Sequence, residues 1–388
     1  MKSRQLLLLA LTAALVAPVS AKDFIGKEMA EQVRQIEAAK QTLIPWLPSD
    51  ADVQRLPEQE ALRAKGLYID QVGVIRRLSL PQQLGCKGLE LEAHRGHPLF
   101  PENGIWGVRA GFAARYNAVE VDAQQLRDNT WILHHDKTNE RTIVHPFGSQ
   151  TVLRLTREEW TRGFMRGRDG LNTSEPAGDV LSTMVLTSAH RQPGQAMNIE
   201  IKQFKNCKAL QTLDVMARLT LGHDGVAYSA LNSTKALTCL RQYNQSSYMA
   251  VVQGPNRTAL ETWTKVHHGQ ELAHLKGNRL LRAGANFAQQ HFGSYKFPGL
   301  NSTQQLKLFR DLLGSNSGLH VEIQDLLDDP GIVRRAHAAG LKVKSYTINS
   351  NSDHLDGLKK LKARGALPDG AIVDSTPIRT CKVLGLES

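Results

Sequence analysis

The chain has 388 residues, of which 48 are Lys or Arg and 37 are Asp or Glu, giving a net charge of +11, with 41% hydrophobic and 22% charged residues. Those proportions belong to a chain with a core and exclude a mostly disordered protein, a collagen-like fibre and a polytopic membrane protein. The length suits one large domain with an appendage or two ordinary domains, and α/β barrels commonly occupy about 200 to 250 residues as one unit.

Residues 1–21 read as a cleaved secretory signal peptide. Lys2 and Arg4 form a positive start, residues 6–17 are uncharged yet short for a bilayer span, and Val19-Ser20-Ala21 supplies small residues at a cleavage site. No Cys follows Ala21 directly, and no later apolar run reaches transmembrane length, so an exported protein, periplasmic or secreted, is expected. Loss of Lys2 and Arg4 lowers the charge to about +9, a balance that suits an anionic substrate, a membrane surface or nucleic acid, and that many basic proteins carry without such a partner.

Residues 22–87 read as an N-terminal helical extension, because Ile25, Met29, Val33, Ile36 and Leu43 recur at helical spacing up to Pro45. From residue 88 to 388 the texture changes to short apolar or alternating runs separated by helix-sized segments, the pattern of repeated β-α units. Strands are expected at 89–94, 118–123, 197–202, 226–230, 248–252, 320–324, 342–348 and 371–374, with 283–288 a ninth candidate. Eight such strands predict a closed (β/α)8 TIM barrel, an α/β fold. The segments 137–195 and 255–316 are too long for simple connections and read as insertions. The first offers a helix start at Thr156-Arg157-Glu158-Glu159 and is either a lid that sets leaving-group specificity or a surface elaboration remote from the substrate.

A barrel of this kind carries its chemistry at the C-terminal ends of its strands. The first strand ends in His94-Arg95-Gly96, followed by Pro101-Glu102-Asn103, and the second carries Glu120-Val121-Asp122, whose two carboxylates share a face by the period of two. Trp131-Ile132-Leu133 then leads into His134-His135-Asp136, and the third strand places Glu200 and Lys202 on one face. Acids brought together repel unless a cation sits among them, so Glu120, Asp122 and Glu200 are candidate ligands for a hard divalent cation, Mg²⁺ or Ca²⁺. Such a cation neutralises a phosphodiester, Arg95 and Lys202 add positive charge for its phosphate, and His94 and His135 remain for proton transfer.

The ordered set H-R-G, P-E-N, E-x-D, H-D and E-I-K resembles the glycerophosphodiester phosphodiesterase family, whose members are TIM barrels that use a divalent metal. The resemblance runs from 88 to about 380. Tyr346-Thr347-Ile348-Asn349 is similar to the family's W-T-V-N strand, and residues 371–377 to its final I-x-T-D-x-P segment. It implies His94 and His135 as the catalytic pair, Glu120, Asp122 and Glu200 as the metal carboxylates, and Arg95 and Lys202 as phosphate contacts. His134 is set aside because Asp136 follows His135 as in the family's H-D pair. Gly104 stands where Thr is usual, Tyr346 replaces Trp, and Val373-Asp374-Ser375 alters the last strand's ending. These departures bear on the alcohol pocket, for which Glu102 and Tyr346 are candidates. Glu92 shares the inward face with His94 where the family has an apolar residue, which calls for a strand bulge or a buried partner.

Taken singly, each motif has an ordinary reading: an exposed loop histidine, a solvated edge-strand face, a structural ion pair between Glu200 and Lys202. Their order and strand placement together point to catalysis. His267, His268 and His274 lie in a polar stretch and read as surface loop. Cys86 precedes the first barrel strand and Cys381 follows the last, while Cys207 and Cys239 follow the third and fourth, so barrel closure suggests the bridges Cys86 to Cys381 and Cys207 to Cys239. The expected activity is cleavage of a small-molecule glycerophosphodiester to glycerol 3-phosphate and an alcohol, with no nucleic-acid partner and room for transient membrane-surface contact. Two alternatives stand beside it: a phospholipase D-like lyase that acts on intact lipid and releases a cyclic phosphate, and a catalytically silent barrel that binds anionic surface polymers.

Overall fold

The computed structural model describes residues 67–69, 75–77, 84–231, 233–254, 302–350 and 352–387. The signal peptide, the helix expected over 25–43, the strand candidate at 283–288, His267, His268, His274 and most of the stretch 255–316 lie outside the described residues. Within the unit formed by residues 1–83, β1 (Leu67–Ile69) pairs antiparallel with β2 (Ile75–Arg77), Tyr68 standing opposite Arg76.

The unit from residue 84 onward is built on a closed ring of eight parallel strands, a (β/α)8 TIM barrel. Its strands are β3 (Glu90–Ala93) and β4 (Ala118–Gln125), then four short strands outside the ring, β5 (Trp131–Leu133), β6 (Ile143–Val144), β7 (Phe164–Arg166) and β8 (Asn172–Pro176). The ring continues with β9 (Ala196–Gln203), β10 (Val226–Leu231), β11 (Tyr248–Gln253), β12 (Ser317–Glu322), β13 (Lys342–Ile348) and β14 (Gly370–Val373). Closure is made by β3, which pairs with β4 on one side, Glu92 opposite Ala118, and with β14 on the other, Glu90 opposite Gly370.

Alternation along these strands sorts their side chains. Leu91, Ala93, Val119, Val121, Ile199 and Ile201 are buried on the outer face beneath the helices, while the residues between them project into the ring. Several of the returning helices start on a polar residue whose side chain satisfies an exposed N–H group. Asp179 accepts from Ser182 N (2.7 Å) ahead of the helix Val180–Thr187, and Asn206 accepts from Ala209 N (2.9 Å) ahead of Cys207–Leu221. Among the described residues no helix is long and apolar enough to cross a membrane.

One expected strand is displaced. β12 begins at Ser317, not His320, and ends at Glu322, whose side chain accepts from Gln324 N (2.6 Å) and starts the helix Ile323–Asp328. Ser317-Gly318 does not look like a strand start in sequence. Gly318 is nevertheless required, since a Cβ there would lie 2.2 Å from the Tyr248 hydroxyl.

Between β5 and Val180 the chain forms a small lobe whose core of Ile143, Val152, Leu155, Trp160, Met165 and Ala177 is shared with Leu126, just before β5, and Ile132 within it. Its β6, β7 and β8 form a three-stranded antiparallel sheet, and Thr156 with Glu159 makes a capping box on the short helix Arg157–Trp160. Disulfides join Cys86 to Cys381 and Cys207 to Cys239, with Cα atoms 5.2 Å apart in each. Both are the pairs that barrel closure suggests.

Candidate active site

The loop after β3 is bent to serve the carboxylates of β4. Arg95 (φ 54°) and Asn103 (φ 58°) both adopt the left-handed conformation that non-glycine residues seldom take, and such strain gathers at functional sites. Gly96 (φ 91°) sits between them, where a Cβ would lie 2.9 Å from the backbone of Gly107. In this geometry the Arg95 N–H donates to Glu120 Oε2 (2.9 Å), its Nε lies 3.2 Å from Asp122 Oδ2, and its Nη1 donates to Glu102 Oε2 (2.8 Å). The Asn103 amide completes the grip, donating to Asp122 Oδ2 and accepting from Asp122 N, each at 2.9 Å.

Glu120, Asp122 and Glu200 each offer an oxygen within 4.8 Å of the others, and all three are buried. The register that sets Asp122 of β4 beside Glu200 of β9 produces this cluster. Lys202 Nζ bridges it, 2.6 Å from Glu200 Oε1 and 3.1 Å from Asp122 Oδ1. Burial together with the charges of Asp122 and Glu200 pushes the Glu120 carboxyl well above its usual range. Asp122 goes the other way, because Lys202 and Arg95 outweigh the burial penalty. A donor set of three carboxylates, without sulfur, fits a hard divalent cation, and it would relieve the repulsion that Lys202 and Arg95 leave on Glu120.

The two neighbouring histidines after β5 differ sharply. His134 turns into the lobe, Nε2 2.9 Å from Thr138 O and Nδ1 3.2 Å from Thr142 Oγ1, with its ring edge on Trp160. His135 keeps Nδ1 2.7 Å from Asp136 Oδ1, and burial with the charges of Arg95 and Lys202 pushes its pKa down to about 3. His94, at the end of β3, has Nδ1 3.0 Å from Asp374 Oδ1. Against the burial penalty, His94 and Arg168 bring the Asp374 carboxyl down to about 2.

The residues proposed from sequence therefore assemble: Arg95, Glu102, Glu120, Asp122, Glu200 and Lys202 form one connected network, with His94 at the end of β3 and His135 after β5, two strands that each pair with β4. Tyr346 is inside the barrel mouth, its hydroxyl donating to Gln253 O and its ring packed with Val252 and Ile372. Asn103, Asp374, Arg141 and Arg168 were not anticipated as site residues. Arg141 donates through Nη1 and Nη2 to both Glu102 oxygens (2.9 and 2.8 Å) and through Nε to Asp136 Oδ2 (2.5 Å). Arg168 donates to Asp374 Oδ1 (2.8 Å) and to His94 O (2.6 Å).

Gly104 has a local explanation. It caps the helix Ile105–Ala113 without a side chain, and Glu175 of the lobe supplies the missing acceptor, taking Trp106 N at 2.9 Å. A Cβ at Gly104 would lie 2.7 Å from Glu175 Oε1, so a Thr here would displace that carboxylate. Burial pushes the Glu175 carboxyl up to about 7, against the pull of the Trp106 and Ile105 N–H groups.

The model of the glycerophosphoryl diester phosphodiesterase family matches residues 94–376. Among solved structures, a Silicibacter pomeroyi protein described as a glycerophosphoryl diester phosphodiesterase superposes with a TM-score of 0.56 at 14% identity, over 79% of this chain and 97% of its own. A glycerophosphodiester phosphodiesterase of Parabacteroides distasonis gives 0.51 at 14% identity, over 78% and 98%. A phosphodiesterase of Oleispira antarctica, in complex with the product sn-glycerol-3-phosphate, gives 0.51 at 16%, over 76% and 96%. At such identities the likeness shows the fold. No curated protein matches the chain.

Proposed function

The chain belongs to the glycerophosphoryl diester phosphodiesterase family, and from that premise we propose that it is an exported, divalent-metal-dependent hydrolase that converts glycerophosphodiesters to sn-glycerol 3-phosphate and an alcohol. The observation that carries this reading is the convergence of Glu120, Asp122 and Glu200 within 4.8 Å, beside two histidines that each have a carboxylate on Nδ1.

Glu120, Asp122 and Glu200 would hold the cation, Ca²⁺ or Mg²⁺ by the hardness of their oxygens. When bound, it supplies Lewis acidity at a phosphoryl oxygen. Arg95 and Lys202 bring further positive charge to the phosphate, Arg by its planar fork and Lys as a point charge. A carboxylate on Nδ1 fixes the tautomer of each imidazole, so proton exchange takes place at Nε2. One histidine takes the proton of the attacking water and the other returns a proton to the leaving alkoxide. Glu102 anchors Arg95, and Tyr346 with Val252 and Ile372 lines the alcohol side of the mouth.

The signal peptide expected at residues 1–21 supports export, and two disulfides suit an oxidising compartment. Phosphorus NMR of the products from glycerophosphocholine, with proton NMR for the released alcohol, tests the reading. It predicts glycerol 3-phosphate and free choline; a cyclic phosphate would favour the lyase, and unchanged substrate the silent barrel.

A further inference from the structure

Each histidine of the site is oriented by one carboxylate, and each of those carboxylates is in turn gripped by an arginine from the lobe between β5 and Val180. On one side Asp374 Oδ1 takes both His94 Nδ1 (3.0 Å) and Arg168 Nη1 (2.8 Å). The other two nitrogens of Arg168 are also engaged, Nη2 with His94 O (2.6 Å) and Nε with Phe100 O (3.2 Å). A single guanidinium thus fixes the carboxylate, the backbone of the histidine it orients, and the loop that follows. On the other side Asp136 divides its oxygens, Oδ1 to His135 Nδ1 (2.7 Å) and Oδ2 to Arg141 Nε (2.5 Å). The fork of Arg141 then closes on both oxygens of Glu102, which also receives Arg95.

We propose that Arg168 and Arg141 are positioning residues that set the orientation of the two acid-base histidines through Asp374 and Asp136, so that the lobe is a working part of the catalytic centre. The geometry favours this over a surface elaboration. Arg168 has a side chain only 20% exposed and every nitrogen is matched to an acceptor, which a loose surface ion pair does not achieve. The lobe that carries both arginines has a packed core, and its Glu175 is fixed to the first turn of Ile105–Ala113. The clamps therefore hang from a rigid body. Arg141 is more exposed, at 43%, so its share should be the smaller of the two. The proposal rests on the phosphodiesterase reading for its activity measurements, and on that reading alone for them.

Double-mutant cycles test it. With glycerophosphocholine as substrate, Arg168→Met should lower kcat by about 10- to 100-fold, the scale seen when the partner that orients a catalytic ligand is lost, while KM stays within about threefold. Because Arg168 works through Asp374, Arg168→Met combined with Asp374→Asn should fall within about threefold of Asp374→Asn alone. Arg168→Lys, which keeps one donor and the charge, should recover part of kcat. Arg141→Met with Asp136→Asn should behave alike with smaller effects. Melting curves of each variant separate a loss of fold from a loss of orientation. Nitrogen-15 spectra of the imidazoles give a readout that needs no substrate: His94 should hold a single tautomer in the wild type and mix tautomers in Arg168→Met. Independent, multiplying effects in the cycle, a rise in KM with unchanged kcat, or an unaltered His94 spectrum would overturn the proposal. A wild type inactive on glycerophosphocholine would count against the phosphodiesterase reading, and the His94 spectra would still decide the clamp.

Discussion

Lys344 Nζ lies 2.6 Å from Glu92 Oε1, an ion pair that spans β14 through the barrel interior. The other Glu92 oxygen takes Asn198 Nδ2 at 2.8 Å, and Lys344 also reaches Glu90 Oε2 at 2.8 Å. TIM-barrel interiors are ordinarily filled by Val, Ile and Leu, so a buried charge here survives only with its partner. Despite the burial penalty, Lys344 and His320 hold the Glu92 carboxyl below its usual range.

Removing one partner should therefore hurt more than removing both. Lys344→Met is expected to destabilise by about 3 to 5 kcal/mol, since it strands the Glu92 charge, whereas Lys344→Met with Glu92→Leu should be far milder. Urea unfolding of Lys344→Met, Glu92→Leu and the double variant checks this, and additive losses would contradict it. The stability this pair contributes is present above the ordinary Glu pKa and is lost as pH falls through the lowered folded value.

The histidines should separate by role. His94→Ala and His135→Ala are each expected to lower kcat by about two to four orders of magnitude, the range of general acid-base catalysis, with melting curves little changed. His134→Gln should do the reverse, lowering the melting temperature because both ring nitrogens of His134 hold the lobe, while leaving proton transfer in place. Near-normal turnover in either Ala variant would remove that residue from the mechanism.

Glu175 should leave a signature in the pH dependence of stability. Its folded pKa is raised to about 7, so the stability it supports is full below the ordinary Glu value and is lost as pH rises through about 7. Glu175→Gln keeps an acceptor for Trp106 N without the charge. The wild type should lose up to about 3 kcal/mol relative to the variant between pH 4 and 8. Parallel curves across that range, followed by thermal melts, would contradict the assignment.

Much of the site was legible in the sequence because it obeys local rules. Period-two alternation puts Glu120 with Asp122 and Glu200 with Lys202 on common faces, and strand ends locate His94 and His135. Glu92 was anomalous by the same rule, and of a bulge or a buried partner the structure supplies the partner, Lys344, which is 252 positions away. Long-range partnerships of that sort carry no periodic signal. Asp374 meets His94 across 280 positions, and Arg168 meets Asp374 across 206, from irregular backbone in the lobe. The sequence around Arg168 is rich in Gly and Arg, a composition that does not say where its arginines point. β12 was displaced for the opposite reason, since its Ser-Gly start is chosen for space beside Tyr248 and not for strand propensity.

The disulfides should differ in weight. Cys86 and Cys381 enclose a loop with a separation of 295, Cys207 and Cys239 one of 32. The chain-entropy model assigns on the order of 5 kcal/mol to the first and about 4 to the second, as upper bounds. Cys86→Ser with Cys381→Ser should lower the melting temperature more than Cys207→Ser with Cys239→Ser. The opposite order would show that strain or residual unfolded structure governs these bridges.

Central to the account is that three carboxylates hold a cation without which the two histidines cannot cleave a phosphodiester. The direct measurement is turnover of glycerophosphocholine by chelated protein, titrated back with Ca²⁺ or Mg²⁺, beside a Glu120→Gln variant. The account predicts that activity disappears on chelation, returns with the added cation in the wild type, and returns weakly or not at all in Glu120→Gln. Full turnover by metal-free wild type, or full restoration in Glu120→Gln, would contradict it.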